Sequence, residues 1–209
     1  MLQPGCPRCR LPLTESGDTW TCPKHGPTPP LWRPREATYD ALVRHIEKAA
    51  DFPTYLPWPL GPGWQVTDFG VVVGIGSAPR ATVTCVSGTT ELDGPVDVIV
   101  VSEEPGTGLG ARAARLESPD PRDIGEGPPV VKVRVDPVPV SLWAVSTSDS
   151  DGEFDRYVMV GEAAGRWLWL VLRPASAMLL MRDEWILREV AGIGAPLIEV
   201  SFGGPPPVW

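Results

Sequence analysis

The 209-residue chain has no long apolar run. Its longest uninterrupted apolar stretch is residues 167–172, which is far short of the roughly 20 residues that a membrane-spanning helix needs. The first residues also lack the charged and then apolar order of a secretory signal. These absences predict a cytoplasmic protein with no membrane partner.

Positive charge is scarce and is concentrated near the start of the chain. The 18 Lys and Arg residues face 26 Asp and Glu residues, so the formal net charge is −8. An acidic body repels a phosphate backbone, and we therefore expect no nucleic-acid partner for the chain as a whole. Weak nucleic-acid contact through Arg8, Arg10 and Lys24 remains an alternative, because residues 1–35 are locally basic.

Three of the four cysteines lie in the first 22 residues, in a metal-ligand pattern. Cys6 and Cys9 form a C-x2-C loop, and Cys22 and His25 form a matching C-x2-H loop after twelve intervening residues. Two such loops joined by a hairpin supply four ligands for a tetrahedral zinc ion. The sequence therefore predicts a zinc ribbon at residues 1–27.

The predicted zinc ion is structural. Disulfides are the competing interpretation of these cysteines, but matched spacing in a chain without a secretory signal favours metal binding. Four protein ligands fill a tetrahedron and leave no open position for water or substrate. A segment of this length cannot bury a stable core, so the metal is expected to fold it.

Proline and glycine mark the predicted domain boundaries, since together they make up 48 of the 209 residues. Residues 28–37 read as a proline-rich linker between the ribbon and the main domain, which we place at 38–201. Residues 202–209 form a proline-rich tail. We favour a loosely held tail over one whose terminal Trp209 docks into a partner.

The hydrophobic pattern of the main domain predicts an α+β fold. Apolar residues repeat at helical spacing in residues 38–50, and a second short helix follows the glycine-rich loop near residue 110. Most of the other apolar segments alternate or run as short β-branched stretches, and those at 96–101 and 167–172 are apolar on both faces. Because only short segments separate the predicted strands along the sequence, we expect an antiparallel-rich mixed sheet with two or three short helices.

The aromatic residues offer candidate partner contacts. Trp32, Trp58 and Trp64 lie among prolines, and Trp58 and Trp64 belong to a loop at residues 52–64. This loop is either an aromatic shelf for a ligand or a proline-rich peptide, or a core edge whose rings fold onto the sheet. The second interpretation is favoured.

A glycine-rich loop follows the strand predicted at 96–101. Gly106, Gly108 and Gly110 resemble, in their spacing, the pyrophosphate loop of acyl-CoA-dependent acetyltransferases, and their backbone amides could hold a phosphate. That family carries Gln or Arg at the position of Glu103, and Glu104 adds a second negative charge. We therefore favour a structural strand-to-helix turn.

Catalytic side chains are in short supply. Only His45 remains for a Ser-His-Asp or Cys-His arrangement, and we expect it at the border of a helix's apolar face without a chemical role. Cys85 is expected to be a buried thiol. Acidic pairs occur at 103–104, 149–151 and 183–184, but neighbours on a strand point to opposite faces. No catalytic residue is predicted.

Several segments together resemble an uncharacterised actinobacterial family, a domain of unknown function that opens with a zinc ribbon. The segments are the two metal loops, residues 56–64, residues 103–112, residues 161–169 and residues 179–184. The resemblance covers nearly the whole chain and implies the host lineage and the domain layout. It implies no activity.

Two functional hypotheses follow. The first is a non-enzymatic zinc-ribbon adaptor that binds another protein, with Trp32, Trp58 and Trp64 as anchors, since buried aromatic residues dominate interface energies. The alternative is a small-molecule or acyl-CoA-type binding protein or transferase that uses the loop at 106–110.

Overall fold

Fourteen strands and two α-helices make up about half of the described chain in the computed structural model. The structure describes residues 1–121, 124–147, 155–182 and 186–209. The strands in chain order are β1 Leu2–Gly5, β2 Thr14–Ser16, β3 Thr19–Cys22, β4 Gly26–Pro27, β5 Leu31–Pro34, β6 Tyr55–Trp58, β7 Gln65–Val72, β8 Ala81–Thr90, β9 Gly94–Glu103, β10 Val131–Val135, β11 Val138–Ala144, β12 Tyr157–Ala163, β13 Arg166–Arg173 and β14 Ile186–Glu189. The helices are α1 Tyr39–Ala49 and α2 Leu109–Ala114, and short 3-10 helices cover Ala175–Arg182, Val190–Gly192 and Ala195–Glu199.

Eleven strands form one large sheet in the order β1-β5-β7-β8-β9-β13-β12-β11-β10-β14-β6. Every neighbouring pair is antiparallel except β10 and β14, which run parallel. The remaining three strands form a small separate sheet, β2-β3-β4. The antiparallel-dominated, sheet-rich fold predicted from short strand spacing is thus confirmed.

The centre of the large sheet consists of the two segments with the most continuous apolar sequence. β9 and β13 are neighbours, with Ile99 opposite Val171. Along β9, Val98 and Val100 pack into the core on one face, while Ile99 and Val101 pack into the core on the other. Alternate side chains of a strand point to opposite faces, so a strand that is apolar throughout is stable only where both faces are covered.

One face of the sheet is covered by α1 and by β6 at the far edge, which curls back over the sheet. Thr84 Oγ1 on β8 donates to the carbonyl oxygen of Tyr55 on β6 at 2.6 Å. Thr38 caps the start of α1, because its Oγ1 accepts a hydrogen bond from the amide of Ala41 at 3.2 Å. His45 on α1 is fully buried, in contrast to its expected place at the border of the apolar face. Its Nε2 lies 2.9 Å from Thr54 Oγ1.

The other face is covered by α2. Its alanines pack with Trp169 of β13 and with Trp209 near the end of the chain. The backbone of Gly110 passes so close to Trp169 that a Cβ atom there would lie 2.2 Å from the indole Nε1. Only glycine therefore allows α2 to approach the sheet this closely.

The predicted linker, residues 28–37, is part of the sheet and not a spacer. It contains β5, which pairs with β1 on one side and β7 on the other. Leu31 is 1% exposed, and the burial of this side chain favours a strand over an extended, solvated proline segment. Because β1 also precedes Cys6, the predicted boundary near residue 27 does not coincide with a break in the large sheet.

The tail also packs against its own chain. Phe202 forms a parallel bridge with Val66. Trp209 is only 3% exposed, and the guanidinium groups of Arg33 and Arg112 lie 4.3 and 4.7 Å from the centre of its ring. The terminal tryptophan therefore occupies a site on this chain, which differs from the loosely held tail favoured by the sequence.

We predict that His45 makes the stability of the protein sensitive to acid. Burial lowers its pKa from 6.5 to about 3. Because the unfolded chain takes up a proton at His45 near pH 6.5 and the folded chain does not, the contribution of His45 to folding stability is complete above pH 6.5. This contribution is lost as the pH falls from 6.5 toward 3. At pH 5 the wild type should have lost about 2 kcal/mol relative to pH 7.5 through this residue.

Urea unfolding of the wild type and of His45→Gln at both pH values measures this loss. Glutamine keeps a hydrogen-bonding group near Thr54 but does not titrate. Between pH 7.5 and pH 5, the His45→Gln protein should therefore lose about 2 kcal/mol less unfolding free energy than the wild type. Equal losses in the two proteins would contradict the prediction.

Candidate metal centre and neighbouring sites

The four predicted metal ligands converge on one point. Cys6 and Cys9 lie on the loop after β1, while Cys22 ends β3 and His25 lies on the tight turn into β4. The Sγ atoms of the cysteines and a ring nitrogen of His25 all lie within 4.8 Å of one another. These side chains could therefore hold one metal ion, as the C-x2-C and C-x2-H spacing predicts.

The ligand atoms form a close, regular cluster. His25 Nδ1 lies 3.5 Å from both Cys6 Sγ and Cys22 Sγ, and Cys9 Sγ lies 3.6 Å from Cys22 Sγ. The backbone amide of Arg8 donates to Cys6 Sγ at 3.4 Å. Such amide contacts are expected of a short loop that turns its N–H groups toward a thiolate.

A bound cation would reverse the protonation preference of Cys6, the most buried thiol of the four-ligand cluster. Burial raises the pKa of Cys6 to about 12, so without a cation this side chain is a neutral thiol. A divalent ion favours the thiolate, because the thiolate is the form that binds metals. With four protein ligands, the tetrahedral set is complete and offers no position for a substrate.

Two arginines fasten the first metal loop to the large sheet domain. Arg112 on α2 donates through Nη1 to the carbonyl oxygen of Cys6. In the opposite direction, Arg8 donates through Nε to the carbonyl oxygen of Thr107 at 3.1 Å and through Nη2 to that of Gly106. The metal centre is thus held against the loop that precedes α2.

The glycine-rich loop uses its amides internally. Leu109 N and Gly110 N donate to the carboxylate of Glu103 at 2.7 and 3.2 Å, and Gly106 N donates to Asp120 Oδ1 at 2.7 Å. Gly108 has a φ of +81°, which glycine adopts readily. Two of the three glycine amides expected to hold a phosphate, those of Gly106 and Gly110, therefore already bind carboxylates of the chain.

Glu103 occupies the position where a phosphate would lie. It is fully buried, and burial raises its pKa to about 7 although the two amide donors oppose that shift. Its neighbour Glu104 points elsewhere and pairs with Arg80 at 3.2 Å. This geometry supports a structural strand-to-helix turn.

The other candidates for catalysis are either buried or outside the described residues. Cys85 is fully buried on β8, and burial raises the pKa of its thiol well above the ordinary value, so its thiolate is disfavoured. The acidic pairs at 149–151 and 183–184 lie outside the described residues.

Two of the three predicted aromatic anchors share a groove. Trp58 and Trp64 line a cavity of about 390 Å³ with the prolines between them, with Pro196 and with Glu199. The rest of the aromatic loop folds inward, since Phe52 and Tyr55 are buried. The loop thus combines a core edge with an open aromatic groove.

Trp32 lies apart from this groove. Its ring makes an edge contact with Trp20 of the small sheet, with centroids 5.8 Å apart, and its Nε1 donates to the carbonyl oxygen of Val73 at 3.0 Å. The side chain therefore helps to join the small sheet to the large one.

Sequence reasoning missed a group of arginines around Trp209. Arg33 lies over the ring and forms an ion pair with Asp68, and Arg10 donates through Nε to a main-chain oxygen of Trp209 at 3.3 Å. Arg112 lies over the same ring. No local pattern could reveal this group, because its members come from four distant parts of the chain.

We predict that Gly110 is required for packing. A Cβ atom at this position collides with the ring of Trp169, so Gly110→Ala should destabilise the protein by about 1–3 kcal/mol. Gly192→Ala is the control, because its Cβ would meet no other atom closer than Glu189 Oε2 at 3.9 Å. Chemical denaturation measures both changes, and a Gly110→Ala protein as stable as the wild type would contradict the packing role.

Comparisons with known proteins identify a family and no activity. In the described residues, no helix has both the length and the apolar character needed to cross a membrane. Neither a curated protein nor a solved structure matches the chain significantly. The model of DUF6758, a family of unknown function, matches residues 1–208. Because this match spans nearly the whole sequence, the chain belongs to that family.

Proposed function

We propose that Cys6, Cys9, Cys22 and His25 bind a structural zinc ion in a ribbon. Zinc prefers tetrahedral sets of sulfur and nitrogen ligands, with Zn–S bonds of about 2.3 Å and Zn–N bonds of about 2.0 Å. In such a tetrahedron, sulfur atoms are about 3.8 Å apart, and a sulfur and a nitrogen are about 3.5 Å apart. The observed separations of 3.6 and 3.5 Å support this assignment.

We further propose that the protein is a non-enzymatic adaptor that binds another protein. The observation that carries this proposal is the groove lined by Trp58 and Trp64. Half-buried tryptophans separated by prolines match the grooves that bind extended proline-rich segments. Glu199 is exposed in the groove, so the segment that fits it best also carries a basic residue.

The acyl-CoA-type alternative has less support. Its loop would have to exchange the carboxylates of Glu103 and Asp120 for a phosphate. Nucleic-acid binding through the ribbon is also less favoured, because Arg8 and Arg10 donate to carbonyl oxygens of the chain. A cytoplasmic location and an actinobacterial host remain part of the proposal on sequence grounds alone.

We predict one zinc ion per chain in the purified protein, measured by elemental analysis. Cys9→Ser should lose most of the metal, since it removes one of four ligands. Cys85→Ala is the matched control, because it removes the one cysteine outside the cluster and should retain the metal. A metal-free wild type, or equal zinc in both variants, would contradict the assignment.

Binding to the groove can be tested with a synthetic peptide that contains a run of prolines beside one arginine. We expect calorimetric titration to detect binding to the wild type and a loss of about tenfold in affinity for Trp58→Ala. Glu199→Gln, an exposed change that should not affect folding, should weaken binding of the arginine peptide but not of an all-proline peptide.

Trp32→Phe is the control for these peptide titrations, because Trp32 lies outside the groove. Unchanged peptide affinity in both groove variants would rule out this surface as the binding site.

A further inference from the structure

A second cavity lies where the first metal loop meets the large sheet. It has a volume of about 500 Å³, within the range of small-molecule sites. Four separate segments line it: the ribbon around Arg10, β5 at Arg33, α2 at Arg112, and the tail at 206–209. Neither the proposed structural metal nor the aromatic groove gives this cavity a role.

Three arginines line the cavity, Arg10, Arg33 and Arg112, and none of its described lining residues is Asp or Glu. Cys6 and Cys9 line it as well, and with zinc bound their thiolates would give the Cys3His centre a net negative charge. Asp68 pairs with Arg33 and balances one positive charge. Arg10 donates to a main-chain oxygen of Trp209, and Arg112 donates to the carbonyl oxygen of Cys6.

Arg112 lines the cavity with one of its hydrogen-bond donors unsatisfied. Its Nε is buried and has no hydrogen-bond partner among the described residues. A buried donor without a partner is costly, so an acceptor at this position would stabilise the arrangement.

The arginines are also held in place before any ligand binds. The guanidinium groups of Arg33 and Arg112 lie 4.3 and 4.7 Å from the centre of the Trp209 ring, and Arg33 also forms an ion pair with Asp68. Cation–π contacts and this ion pair restrict both guanidinium groups. Side chains that are already ordered lose little entropy when a ligand binds.

Apart from Gln3, Cys6 and Cys9, the remaining side chains that line the cavity are apolar. Leu11, Leu31 and prolines at 4, 12, 34, 206 and 207 surround the arginine groups. Guanidinium groups bind carboxylates and phosphates through paired, charge-assisted hydrogen bonds. The apolar walls fit a body attached to such an anion.

We propose that this cavity binds a small molecule that carries a carboxylate or phosphate group on an apolar body, with Arg10 and Arg112 as the residues that bind the anion. Such a ligand would contact the ribbon, α2 and the tail at once. Its binding would therefore strengthen the attachment of the metal centre to the sheet.

Calorimetric titration of the full chain with phenyl phosphate, benzoate and inorganic phosphate tests the proposal. We expect at least one of the two aromatic anions to bind, and to bind more tightly than inorganic phosphate. Arg10→Gln and Arg112→Gln should each weaken that binding about tenfold or more, the effect of losing a charge-assisted contact. Arg44→Gln is the control, because Arg44 is exposed on α1 and does not line the cavity.

Arg10 is exposed, so Arg10→Gln should fold normally even if Arg112→Gln disturbs the contact with Cys6. Tighter binding of phenyl phosphate assigns the site to phosphates, and tighter binding of benzoate assigns it to carboxylates. Failure of both aromatic anions to bind the wild type, or equal affinity in the wild type and Arg10→Gln, would overturn the proposal. Equal binding of phenol would overturn it as well, because phenol carries no anion at neutral pH.

Discussion

The contact between α2 and the first metal loop is the constraint on which both sites near the ribbon depend. Its foundation is the centre of the sheet, where Glu103 ends β9 and Trp169 lies on β13. Glu103 accepts hydrogen bonds from the first two amides of α2. Trp169 packs against the backbone of Gly110, which has no side chain. The helix is thereby fixed, and its Arg112 reaches the carbonyl oxygen of Cys6. The core strands thus position α2, and α2 in turn positions the loop that carries the first two candidate metal ligands.

The glycine-rich loop shows how a motif associated with ligand binding can have a structural role. Amides at the start of a helix attract negative charge whatever its source. Here the source is the buried carboxylate of Glu103, which accepts hydrogen bonds from two of these amides. The glycines are explained by close packing at Gly110 and by the positive φ of Gly108. The same residue types therefore serve the fold without a bound phosphate.

The chain presents two openings of different chemistry on a fold whose four candidate metal ligands would leave no open coordination position. The groove at Trp58 and Trp64 is aromatic and proline-lined with one acid, whereas the cavity at Arg10 and Arg112 is basic. A completed tetrahedron cannot take part in turnover, but it can fix the position of Arg10 directly after Cys9. The proposed zinc ion would therefore matter for recognition, because it orders the ribbon wall of the basic cavity.

The sequence alone determined the features that are encoded locally. Cys6, Cys9, Cys22 and His25 were predictable because short loops fix the spacing of ligands, and β13 was predictable as a central strand because both of its faces are apolar. β5 and β6 were missed, since their prolines indicate loops and only pairing with distant strands makes these segments extended. The arginines around Trp209 were decided by the tertiary structure alone. Arg10 and Trp209 meet across almost the whole chain, and charge or aromaticity in a sequence does not specify a partner until the backbone brings the two together.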